Sequence, residues 1–106
     1  MTYRLNPEVL SRLTAHLEEL FSKISGRVSE PLSPDLADEI AATAGEVMVE
    51  LADQRGDELT RGVIEDARRL RELVRSLSPE SIPVASAGRA LVSGLELFIR
   101  DGKRAA

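Results

Sequence analysis

"ALVSGLELFIR", Ala90–Arg100, puts seven apolar side chains into eleven residues. On a helical wheel at about 100° per residue, Val84, Gly88, Leu91, Leu95 and Phe98 form a main stripe. Val92 and Ile99 extend one edge of it, and Ala87 and Gly94 give the other edge small residues. Ala90 and Leu97 carry apolar surface further round. Only Arg89, Ser93, Glu96 and Arg100 make a polar line. A helix on one side of a bundle needs an apolar arc of little more than about 100°; this one has roughly twice that. Reading the stretch as an over-apolar helix sets the expectation for the whole chain, an all-α bundle whose last helix has more apolar surface than one subunit covers.

The same period recurs upstream. Asn6-Pro7-Glu8 combines a capping side chain, a proline suited to the first helical position and an acid at the positive end of the dipole. Leu10, Leu13, Leu17, Leu20 and Ile24 follow on one face, widened by Val9 and Phe21. Gly26 is a plausible stop. "GRVSEPLSP", residues 26–34, breaks the period with two prolines and two serines. Ser33-Pro34-Asp35 repeats the start signal, and Ala37, Ile40, Ala44, Val47 and Leu51 make a second stripe. A third runs through Thr60, Val63, Ala67, Leu70, Val74 and Leu77.

Between the second and third stripes, "DQRGDEL" is read as a turn at Gly56 with Asp57 capping the next helix. One unbroken helix would place the two apolar stripes on opposite sides, since two extra residues turn the face by about 200°. In "SLSPESIP" a short turn from Ser78 is expected to stop at Pro83. No period-two alternation marks a strand. The chain is thus predicted to be one all-α domain spanning residues 1–106, an antiparallel four-helix bundle. Its helices are expected near 7–25, 34–54, 57–77 and 84–101, with a frayed tail over 102–106.

Composition narrows the chemistry. The absence of cysteine removes disulfides, thiolate metal sites and cysteine nucleophiles together. With three aromatic residues, Tyr3, Phe21 and Phe98, the core has to be aliphatic. No apolar run approaches the roughly 18 residues of a membrane span, and "MTYRLNPEVL" lacks the pattern of a signal peptide. A cytoplasmic protein without membrane contact is expected. Residues 1–60 carry twelve acids and five bases, a net of −7; residues 61–106 carry six acids and nine bases, a net of +3. Oppositely charged halves fit self-complementary faces.

Catalytic motifs are sparse. His16, the one histidine, is expected as a half-buried packing residue on the flank of the first stripe. No Glu-x-x-His pair or phosphate-binding glycine loop is present. Glu39, Glu46 and Asp53 fall seven apart on one helical face, Glu50-Leu51-Ala52-Asp53 has Glu-x-x-Asp spacing, and Glu18-Glu19 stand on the first helix. All-α pyrophosphohydrolases of the MazG type hold Mg²⁺ between a Glu-Glu-x-x-Glu and a Glu-x-x-Asp element, carboxylates of the kind hard cations want. Here Ser22 stands where the third acid of the first element would be. The chain is therefore not assigned to that family, and a metal-dependent nucleotide hydrolase is only the alternative reading.

Arg61, Arg68 and Arg75 recur every seven residues, but Glu65, Asp66 and Glu72 interleave and no aromatic residue is placed to stack on bases. "LADEIAATAG" resembles the first helix of a helix-turn-helix, yet "EVMVELAD" continues that helix without a turn. Both points weigh against nucleic-acid binding, and a nucleic-acid-associated regulator is kept as a further alternative reading beside the hydrolase.

The favoured expectation is a non-catalytic helical interaction module, with no cofactor and no metal, acting as a homo-oligomer. The simplest form is a two-fold dimer with the last helix in its interface, with an unidentified protein as further partner. The candidate interface residues are Ala42 and Val49, which lie opposite the core stripe of the second helix where polar residues are expected, and Ala90, Val92, Leu97 and Ile99, which widen the apolar arc of the last.

Overall fold

Four helices, and no strand among the described residues, make up the computed structural model, which describes residues 7–24, 30–52, 58–76 and 79–105. They are α1 (Pro7–Ser22), α2 (Pro34–Ala52), α3 (Glu58–Val74) and α4 (Ser81–Ala105). α1 packs on α2 and α4, and α3 packs on the same two helices. α1 and α3 therefore face each other across one diagonal of the bundle, and α2 and α4 across the other. Neighbours run antiparallel. Ala37 and Asp38 of α2 lie beside Val74 of α3 and Arg75 just after it, while Met48 lies beside Arg68 and Glu72. Likewise Phe21 of α1 meets Gly88 of α4, whereas Ser11 and Thr14 lie beside Ile99 and Arg100.

The predicted stripes form the core. Leu10, Leu17 and Leu20 of α1 are buried, as are Ile40, Val47 and Leu51 of α2, Val63 and Leu70 of α3, and Val84, Leu91 and Leu95 of α4. Leu13, Phe21 and Ile24 pack against them from the rim. Three threonines lie inside as well. Thr14 and Thr43 donate their hydroxyls to the carbonyls of Leu10 and Glu39, at 2.7 and 2.8 Å, so neither is left unpaired.

α2 starts as its sequence signal indicates. The Ser33 hydroxyl accepts from the Leu36 amide at 3.2 Å and its carbonyl accepts from Ala37 at 3.0 Å, with Pro34 and Asp35 in the first turn. α2 and α3 are separate helices packed side by side, as a turn between them requires. Gly56 and Asp57 themselves, like Asn6, Gly26 and Leu77, lie outside the described residues.

Two expectations are corrected. Pro83 does not interrupt a helix, because α4 already begins at Ser81 and Pro83 sits in its first turn. Its missing amide costs nothing there, since the first intrahelical bond comes from the next residue, Val84 to the Glu80 carbonyl at 3.3 Å. Nor does α4 stop at Gly102 and leave 102–106 frayed. Among the described residues no glycine adopts the positive φ that a left-handed cap would need, and the helix runs on to Ala105.

A contact between the two connections is absent from the sequence reading. Glu30 and Leu32 meet Pro79 and Ser81: the Leu32 amide donates to the Pro79 carbonyl at 3.0 Å and the Ser81 amide to the Glu30 carbonyl at 2.9 Å. The buried Ser81 hydroxyl accepts from the Glu30 amide at 3.0 Å. This clip ties the starts of α2 and α4 together at one end of the bundle and gives the Ser81 amide, an orphan donor of the helix start, its partner.

Candidate interaction surfaces

The six residues singled out for an interface fall in three places. Val92 and Ile99 are partly buried and packed on the core, and Ile99 lies in the groove against Ser11, Thr14 and Ala15 of α1. They belong to the α1–α4 seam. Ala90 and Leu97 are exposed on the other flank of α4, beyond Gly94, whose Cα approaches Val63 of α3. Leu97 is 48 % exposed, and Ile82, at 43 %, adds apolar surface near the start of the same helix. Ala42 and Val49 are exposed on the outer corner of α2, and Val49 is 73 % exposed, the largest value among the big apolar side chains. Because α2 and α4 stand on a diagonal, these last two pairs open in opposite directions. No single flat contact covers both.

The broad apolar arc of α4 thus divides. One part is absorbed by neighbours on each side, since Ala87, Val92 and Ile99 pack against the core. Ala90, Leu97 and Ile82 remain outside. By length and composition Ser81–Arg100 is apolar enough to cross a membrane, with mean hydropathy 1.4, but a third of that stretch is buried within the bundle. A core helix passes the same test.

The surroundings of the α2 corner are charged with a pattern. α2 carries Asp35, Asp38, Glu39, Glu46 and Glu50 and no basic residue. Glu46 and Glu50 line a surface with Val9 and Leu13 of α1, and Glu39, seven residues before Glu46, falls on the same face of the helix. On the other side come Ala41, Gly45 and Met48, and then arginines: Arg68 and Arg71 of α3 and Arg75 just beyond its end line one groove with Met48 and Glu72. Arg71 also borders the surface formed by Ala42, Gly45 and Val49. The apolar strip is therefore flanked by carboxylates alone on one edge and by three arginines, with Asp38 and Glu72 among them, on the other. A Cβ added at Gly45 would meet nothing within 4 Å, so the strip is shallow and open there. Arg68 and Glu65 form an ion pair at 3.0 Å, exposed on both partners.

The sites weighed from sequence fare differently. His16 is exposed, not half-buried. The α1 stripe centres on Leu10 and Leu17, and the residue next to Leu17, turned about 100° from it, falls on the solvent side. Glu18 lines the groove against Glu96 and Arg100 of α4, on the opposite side of α1 from Glu46 and Glu50. The two acidic elements of the hydrolase alternative are thus not brought together, and Asp53 lies outside the described residues. Among the described residues no three acidic or histidine side chains form a group able to hold a metal ion. The arginine groove is interrupted by Glu72, and Arg68 is engaged by Glu65.

Neither a protein-family model, nor a curated protein, nor a solved structure matches the chain.

Proposed function

We propose that this protein is a non-catalytic helical interaction module that acts as a homo-oligomer. The observation that carries the reading is the placement of Val49 and Leu97, large apolar side chains 73 % and 48 % exposed in the middle of outward-facing helix surfaces. Each has small neighbours on its own face, Ala42 and Gly45 beside the first and Ala90 beside the second, so a partner helix can come close. Scattered single apolar side chains need no explanation, but these repeat seven residues apart along one face, as a helix-pairing seam does. The charged residues around them are mixed in sign, which suits specific pairing more than a field for a polyanion.

The test is the thermal midpoint measured across a hundredfold range of protein concentration. An assembly that binds folded chains but not unfolded ones gains stability by mass action, so the midpoint should climb with concentration. A midpoint independent of concentration overturns the proposal.

A further inference from the structure

We infer that the outer corner of α2 pairs with the same corner of a second copy, with the two α2 helices parallel about a two-fold axis that runs along them. The inference rests on the homo-oligomer reading and adds the surface and the orientation. Its basis is charge. Every ionisable residue of α2 is an acid, so an α2 pair in which acidic edges meet is unfavourable. A face-to-face pair has two simple two-fold arrangements. An axis across the helices sets them antiparallel and lays Glu39 and Glu46 over the same edge of the partner. An axis along the helices swaps the edges, so that the acidic edge of each copy meets the arginine edge of the other.

The levels match in the second arrangement. Within one chain, Arg75 lines a groove with Ala37 and Asp38 and, together with Arg68 and Arg71, a second groove with Met48; because α3 runs antiparallel to α2, Arg75 lies nearer the start of α2, and Arg71 and Arg68 lie further along it. In a parallel, in-register pair Glu39 therefore faces the partner's Arg75 and Glu46 the partner's Arg71, each twice by symmetry. Ala42 meets Ala42 and Val49 meets Val49 at the centre, and open Gly45 lets the backbones approach. Asp35 and Asp38 at the start of the stripe meet their own copies, a like-charge contact at one end that keeps the pair from being tighter. The α4 corner has no such polarity: around Ala90 and Leu97, Arg89, Glu96 and Arg100 alternate on one line.

The native chain has no cysteine, which makes cross-linking unambiguous. A42C and V49C, made separately and oxidised at tens of micromolar, should each form a disulfide-linked dimer with itself, and L97C should not. E46R and R71E should each weaken association about tenfold, and E46R/R71E together should restore it to within about threefold of the parent, because the swap exchanges the two edges. Cross-linking only in a mixture of A42C with V49C means antiparallel helices and overturns the inference. So does a double variant no better than the product of its parts. If the parent has the mass of a dimer while L97C alone cross-links, the homo-oligomer reading survives and the α2 surface falls. A monomeric parent removes both.

Discussion

A single glycine shows how closely α1 and α4 approach. A Cβ on Gly88 would overlap the ring of Phe21, whereas one on Gly62 would meet nothing within 4 Å. The same substitution should therefore change stability in opposite directions. Gly62→Ala, exposed in the interior of α3, should stabilise by about 0.5–1 kcal/mol through helix propensity. Gly88→Ala gains the same propensity but must displace Phe21, and overpacking of this kind costs about 1–3 kcal/mol. Chemical denaturation of both variants should give a raised midpoint for the first and a lowered one for the second. Equal shifts would mean that Gly88 is not in contact with Phe21. Ser81 offers a second test. Ser81→Ala removes the acceptor of the Glu30 amide and should cost about 1 kcal/mol; an unchanged midpoint would show that the clip between the two connections contributes nothing.

At the scale of the helix, sequence pattern was most informative where burial is one-sided. All five positions from Thr60 to Val74 named for α3, and all five from Ala37 to Leu51 for α2, are buried. Periodicity reports the direction of the core and little else. It could not say that Val92 and Ile99 would be absorbed by α1 while Ala90 and Leu97 stay outside, because that depends on which neighbour flanks each edge. It could not foresee the Glu30–Ser81 clip, which joins residues 51 positions apart through backbone groups and one serine hydroxyl, neither of which has a periodic signature. Pro83 misled for a related reason: a proline ends a helix in its interior and fits one in its first turn, so its meaning hangs on where the helix starts. The outward positions carry their own prediction. Val49→Lys should leave the isolated fold within about 0.5 kcal/mol of the parent, because the side chain is mostly in water. Leu91→Ala, in the core, should cost about 2–5 kcal/mol. Comparable losses from both, measured below the association range, would place Val49 in the core of the subunit.

At the scale of the molecule, the four helices form a rod of 45 × 21 × 21 Å with its two apolar corners on opposite edges. A two-fold contact through either corner therefore leaves the other one outside it. The central claim is that two copies cover what one exposes, and light scattering on the purified protein at tens of micromolar tests it most directly. Twice the chain mass of 11.6 kDa is expected, falling towards a single chain for Val49→Lys. A mass of one chain for the parent, steady across that range, contradicts it.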